Sequence, residues 1–135
     1  MKKIILAGVL SMLMPFAAYA NGHDDLEGDA EAGAAVFKKC ASCHAVGPDA
    51  KNKVGPILNG VFGREAGTLE GYKYSKAMLA ADTTWDEETL SEFLADPRKA
   101  LKGTKMSFRG LKKEDDLENV IAYLAQFDEE GNMAE

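Results

Sequence analysis

The most regular spacing of apolar side chains lies near the end of the chain, where Leu117, Val120, Ile121 and Leu124 recur at i, i+3, i+4 and i+7. That period gathers all four on one face of a helix. Glu114, Asp115 and Asp116 open the stretch, where the positive end of a helix dipole favours acids, so Glu114 to Phe127 predicts an amphipathic closing helix. Near the other end, Asp29 reads as an N-cap, and the alanine-rich run Ala30 to Cys40 spaces Gly33, Val36 and Phe37 at helical intervals. Gly33 inside this helix costs up to about 1 kcal/mol against alanine, unless it is a notch that lets another helix cross closely. Ser75 to Ala81 predicts a short helix. Thr84-Trp85-Asp86-Glu87 reads as a capping box opening a further one through Leu90, Phe93 and Leu94, which Asp96-Pro97 ends. Between these lie Gly47-Pro48, Gly55-Pro56, Asn59-Gly60, Gly63 and Gly67, too much turn chemistry for a long element and suited to an Ω-like loop. Lys99 to Gly110 shows no period and reads as a second loop. No strand pattern, internal repeat, Walker sequence or dinucleotide glycine pattern is present.

The first twenty residues differ from the rest. Met1-Lys2-Lys3, an apolar run from Ile4 to Ala17 and Ala18-Tyr19-Ala20 form a secretory signal peptide with an A-x-A cleavage site, its apolar core too short for a membrane span. Residues 1–20 are therefore expected to be removed, 21–28 to form a flexible extension, 29–127 one domain, and 128–135 an acidic, frayed tail. A short two-lysine leader points to a bacterial periplasm. The formal net charge of −6 becomes −8 when Lys2 and Lys3 leave, which disfavours nucleic acid and anionic membrane as partners.

The chemistry concentrates in Cys40-Ala41-Ser42-Cys43-His44, the C-x-x-C-H spacing of covalent haem attachment. Two thiols three residues apart can form thioethers with the two vinyl groups of one porphyrin, and the adjacent imidazole is a good axial iron ligand. A zinc site would need about four ligands, and only the distant His23 is left to complete one. A thioredoxin-like dithiol would want a strand before it. A disulfide across three residues leaves His44 unexplained. Pro56 retains a carbonyl that could fix the tautomer of His44 through Nδ1, or is simply a rigid turn. Met106, in the irregular loop downstream, could reach an iron from the opposite side, or is core filler like most lone methionines.

At this point the chain resembles the class I c-type cytochromes, and among them the bacterial cytochrome c2 type that is similar to mitochondrial cytochrome c. The resemblance rests on Gly33 with Phe37, Cys40 to His44, Val54-Gly55-Pro56, Gly60 to Arg64, Tyr74-Ser75, Trp85, Pro97, Gly103 to Phe108 and Ile121 to Leu124. It implies an all-α fold, helices and long loops wrapped around one haem c bound through Cys40 and Cys43, with His44 and Met106 as axial ligands and Pro56 as the partner of His44. It places Arg64, Tyr74, Ser75 and Trp85 around the haem propionates, and crosses the first and last helices so that Gly33 and Phe37 meet Val120 and Tyr123. Met78, Phe93 and Lys102 depart from it, standing where relatives carry asparagine, tyrosine and proline.

The function implied is a monomeric, diffusible one-electron carrier, not an enzyme, since filled axial positions leave no place for substrate. It would carry electrons from a quinol-oxidising cytochrome bc complex to a terminal oxidase or a photosynthetic reaction centre. The rival is a haem enzyme or gas-binding protein in which Met106 is labile. Lys39 adjoins Cys40, and Arg98, Lys99, Lys102, Lys105, Arg109, Lys112 and Lys113 bracket the Met106 loop, which predicts a basic docking face despite the acidic whole, with the acids lying elsewhere.

Overall fold

The computed structural model describes residues 25–134, so the leader expected over residues 1–20 and His23 lie outside the described residues. Five helices and no strands occur among the described residues: α1 Ala30–Phe37, α2 Lys76–Leu79, α3 Glu87–Ala95, α4 Pro97–Ala100 and α5 Glu114–Ala125.

The frame is the crossing of α1 and α5. Gly33 is the notch: a Cβ built on it would lie 1.9 Å from the Asn119 carbonyl oxygen and 2.8 Å from Tyr123 Cβ. Only a hydrogen permits this approach. Phe37 packs on Tyr123 with ring centroids 5.4 Å apart. Asp29 caps α1 by accepting from the Ala32 N–H at 3.0 Å and donates its own N–H to Asn119 Oδ1 at 2.7 Å, tying the first cap to the middle of the last helix. Packing begins before Asp29: Leu26 lies against the core, and a Cβ on Gly28 would meet the Glu118 carbonyl at 2.0 Å. Val120 and Ile121, each 1 % exposed, form the centre of a core shared with Val36, Phe37, Leu90, Leu94 and Leu111.

Two helix ends differ from the sequence reading, and one short helix was not expected. Regular helix stops at Phe37 rather than Cys40, because the Lys39 and Cys40 N–H groups turn back to the carbonyls of Val36 and Phe37 in tighter three-residue steps. The capping box of α3 is built from Asp86 and Thr89, not Thr84 and Glu87; Asp86 accepts from the Thr89 N–H at 2.9 Å and Thr89 Oγ1 accepts from the Asp86 N–H at 2.9 Å. Thr84 and Trp85 are drawn into an extended run beside residues 63–66, with Gly63 N–H to Trp85 carbonyl, Trp85 N–H to Arg64 carbonyl and Ala66 N–H to Thr83 carbonyl at 2.6, 2.9 and 2.7 Å. Pro97 ends α3 and also starts α4, occupying its first turn while Asp96 accepts from the Lys99 N–H at 3.2 Å.

The tail expected to fray is folded back. Asp128 and Asn132 close a turn through Asn132 N–H to Asp128 Oδ1 at 2.8 Å and Asp128 N–H to the Asn132 carbonyl at 3.0 Å, and Ala134 N–H reaches the Gln126 carbonyl at 2.9 Å. Gly131 at its tip is buried.

Candidate haem site

Cys40, Cys43 and His44 follow α1 on consecutive turns, with the Cys43 and His44 N–H groups both bonded to the Cys40 carbonyl at 3.1 and 2.9 Å. The thiols are free, and no disulfide joins them. Burial pushes the Cys40 thiol above its usual range, partly offset by the Lys39 ammonium beside it. Downstream, Gly55 N–H bonds the Cys43 carbonyl at 2.8 Å and Leu58 N–H the Ala45 carbonyl at 3.1 Å, so the glycine-rich loop is laid directly against the pentapeptide.

This loop seats the imidazole. His44 is 9 % exposed, and its Nδ1 lies 2.7 Å from the Pro56 carbonyl oxygen. A carbonyl can only accept, so Nδ1 carries the hydrogen and Nε2 keeps its lone pair, the state a metal requires. Burial lowers the pKa of His44, against which the Pro56 bond acts. Gly55 lies flat on the ring: a Cβ there would be 2.3 Å from His44 Cε1.

His44 opens on a cavity of about 520 Å³ lined also by Cys40, Cys43, Tyr74, Ser75, Met78 and Met106. A deeper chamber of about 90 Å³ shares Cys40, His44, Tyr74, Met78 and Met106 and adds Pro56, Arg64, Trp85, Phe93 and Val120. Every site residue named from the sequence therefore lies on one of two adjoining chambers, Ser75 on the outer and Pro56, Arg64 and Trp85 on the inner. The combined volume is of the size that buries a cofactor. Met78 and Phe93 make the inner walls more apolar, and Phe93 packs on Trp85 at 5.1 Å.

Two polar groups in the inner chamber are buried without a protein partner, Arg64 Nε and the Tyr74 hydroxyl. The rest of Arg64 is anchored, Nη1 donating to the Asn59 carbonyl at 3.1 Å and Nη2 to the Ile57 carbonyl at 3.5 Å. Burial lowers its pKa, opposed by Tyr74 and then Glu129. Buried polar groups of native proteins are otherwise satisfied, so a donor pair facing one chamber fits an acidic ligand there.

The family profile of cytochrome c matches residues 30–128. The chain belongs to the cytochrome c family. Among similar proteins, cytochrome c2 of Rhodoblastus acidophilus is 52 % identical over 105 residues, covering 78 % of this chain and 98 % of that protein. Cytochrome c-550 of Nitrobacter winogradskyi is 50 % identical over 106 residues, covering 78 % and 97 %. Among solved structures, cytochrome cH from Methylobacterium extorquens superposes with a TM-score of 0.68 at 44 % identity, covering 72 % of this chain and 97 % of that one. This cytochrome is thus an electron-transport protein of the bacterial cytochrome c2 type, with one covalently bound haem c. The orphan donors of Arg64 and Tyr74 suit the carboxylates of that haem, and the largely apolar chambers onto which His44 opens suit its ring.

Two contributors were not singled out in the sequence. Asn59 is 8 % exposed and exchanges two 2.9 Å hydrogen bonds with Gly47, its side-chain oxygen accepting from the Gly47 N–H and its amide donating to the Gly47 carbonyl; in sequence Asn59-Gly60 signals only a turn. Tyr72 donates its hydroxyl to the Val54 carbonyl at 2.7 Å and carries the Lys105 ammonium 4.4 Å above its ring. Lys105 also donates to the Lys73 carbonyl. The basic residues Lys39, Arg98, Lys99, Lys102, Lys105, Arg109, Lys112 and Lys113 are all exposed, and Lys39 and Lys105 line the cavity mouth. The expectation that the acids lie elsewhere fails at one point: Asp116 stands 3.6 Å from Lys39. Among the described residues no helix is long and apolar enough to cross a membrane.

Proposed function

We propose that this cytochrome is a soluble, monomeric, periplasmic one-electron carrier and not an enzyme, in which Cys40 and Cys43 hold the haem by thioethers and His44 and Met106 are the axial ligands. The observation that carries the reading is the 2.7 Å bond from His44 Nδ1 to the Pro56 carbonyl, which leaves Nε2 unprotonated on a cavity that Met106 also lines. The bound iron supplies one-electron cycling between its ferric and ferrous states. Around it, Gly55 and Pro56 fix the imidazole, Arg64 and Tyr74 take the propionates with Ser75 and Trp85 beside them, and Met78 and Phe93 keep the inner chamber dry. A neutral thioether from Met106 favours the ferrous state over a second imidazole and so raises the potential. This suits acceptance of electrons from a quinol-oxidising cytochrome bc complex and delivery to a terminal oxidase or photosynthetic reaction centre. The exposed bases Lys39, Arg98, Lys99, Lys105, Lys112 and Lys113 form the docking face.

The ferric protein should show the weak far-red absorption of sulfur-to-iron ligation, and Met106→Ala should abolish it. Its absence from the native protein would favour a labile sixth position and a ligand-binding or peroxidase-like role.

A further inference from the structure

The family match ends at residue 128, yet the chain beyond it is packed against the loop that carries Arg64. Gly131, with φ of 83°, is pressed so close to that loop that a Cβ on it would lie 2.2 Å from the Gly47 carbonyl oxygen and 2.6 Å from Asn59 Nδ2. Gly60, the next residue, faces the following part of the hook: a Cβ there would meet Glu129 Cγ at 2.9 Å, and its N–H donates to the Phe127 carbonyl at 3.1 Å. Asn59 is thus held from both sides, by Gly47 through two hydrogen bonds and by Gly131 through close contact. Its carbonyl in turn accepts from Arg64 Nη1 at 3.1 Å. A short line of contacts runs from the C-terminal turn through Asn59 to the guanidinium that faces the inner chamber.

From this geometry we infer that the C-terminal hook is a positioning element for the redox centre: Gly131 seats Asn59, Asn59 aims Arg64, and Glu129 is the outer charge partner of that arginine. The inference rests on the reading that Arg64 serves the haem carboxylates. Glu129 packs against Gly60, the residue after the one whose carbonyl holds Arg64, and its carboxylate acts on the charge of that guanidinium; Arg64 is half-buried, so water screens this influence less than it would between two surface groups. The carboxylate of Glu129 offsets part of the positive field that Arg64 presents to the haem. Reduction adds an electron, so removing this carboxylate leaves Arg64 less compensated and favours the ferrous form.

The test is the midpoint potential of the haem-loaded protein, measured at one salt concentration for the native chain and for Glu129→Gln, Glu129→Asp, Glu130→Gln, Gly131→Ala and Arg64→Gln. Glu129→Gln should shift the reduced-to-oxidised ratio at fixed potential about threefold toward reduced, about 30 mV upward at 59 mV per decade for one electron. Glu129→Asp, which keeps the charge, should stay near the native value. Glu130→Gln removes the same charge one residue on and should shift the ratio by less than half as much. Gly131→Ala forces the hook off and should change the potential as well as lower the melting temperature, and adding Glu129→Gln to it should then shift the potential by less than half of what Glu129→Gln does alone, because the carboxylate is no longer held against the Arg64 loop. If Gly131→Ala lowers only the melting temperature and Glu129→Gln leaves the potential unchanged, the hook is a structural clamp and the inference is wrong. An equal shift from Glu130→Gln would also overturn it, by showing a general charge effect. Arg64→Gln separates the two readings: if it leaves the potential untouched, the assignment of Arg64 to the haem fails, whereas a potential that responds to Arg64→Gln but to neither hook variant fails the hook alone.

Discussion

At the scale of single residues, the proposed redox centre turns on what stands next to His44 and on the sulfur of Met106. Under the proposed ligation, replacing Met106 with histidine would keep six-coordination but exchange a neutral thioether for a stronger nitrogen donor. The midpoint potential should fall by hundreds of millivolts, a few tenths of the ligand-controlled range of about 0.8 V. Potentiometric titration of the assembled variant checks this, and an unchanged potential would remove Met106 from the ligand set. The pentapeptide could be picked out in sequence because it has a chemistry of its own, whereas Pro56 and Met106, each open to a plainer reading, were singled out by the family resemblance. Asn59 could not, because its importance lies in a backbone partner twelve positions away, Gly47, and an asparagine before a glycine says no more than that the chain turns.

At the scale of helices, the α1–α5 crossing depends on the missing side chain of Gly33. A methyl group there would have to displace the backbone of α5, since the obstacle at 1.9 Å is a main-chain carbonyl. Gly33→Ala should therefore destabilise the holo-protein by about 1–3 kcal/mol or more, although alanine is the better helix former by about 1 kcal/mol. Equilibrium denaturation decides the sign. The cap of α3 gives a second test. Hydrogen bonds from the Thr89 N–H and then its hydroxyl hold the Asp86 carboxyl below its ordinary pKa. A lowered folded pKa means stability that is present above the unfolded value and is lost as pH falls through the folded one. Asp86→Ala should cost about 0.5–2 kcal/mol at neutral pH. Asp86→Asn, an equally good cap, should cost little there and should flatten the loss of stability below about pH 4; denaturant melts at several pH values distinguish the two. The crossing helices α1 and α5 were legible because their apolar spacing survives in the fold. The start of α3 was misplaced because Thr84 and Trp85 bond to residues 63–66, a long-range pairing that overrides a local capping signal. The hook after α5 was read as fraying because its acids look solvated, and the glycine that packs beneath them has no side chain to announce the contact.

For the molecule as a whole, an open-mouthed cavity of about 520 Å³ adjoins the inner chamber that the core residues line. At about 24 cal/mol per Å³ such a space would be worth on the order of 10 kcal/mol if enclosed and unfilled, an upper bound for a cavity with an open mouth. That is comparable to the entire stability of a domain. Removing the attachment points with Cys40→Ala and Cys43→Ala should leave largely unfolded protein, and a cooperative thermal transition in that double variant would contradict this. Docking is the second property at this scale. The chain is acidic overall, but screening over about 8 Å at physiological salt makes the local charges at the cavity mouth dominate the encounter. Electron transfer to an acidic partner should slow as salt rises. Lys105→Glu should lower the association rate more than Lys39→Glu, because Asp116 already offsets Lys39, and both should outweigh the gain from Glu114→Lys. Stopped-flow rates against ionic strength check the sign; acceleration by salt would show that net charge controls the encounter.

The bond from Asp29 to Asn119 joins residues ninety positions apart, and this separation imposes an order of events as the chain is made. A ribosome adds about 5–20 residues per second, so the stretch from Cys40 to Asn119 takes roughly 4 to 16 seconds to appear. Throughout that interval α1 has nothing to cross, and the two cysteines stay on open chain within reach of whatever machinery joins them to the porphyrin. Even after α5 has crossed α1 at Gly33, both thiols stay half-exposed on the wall of the open cavity. A helix contact that looks like simple packing in the finished protein thus cannot form until the chain is nearly complete.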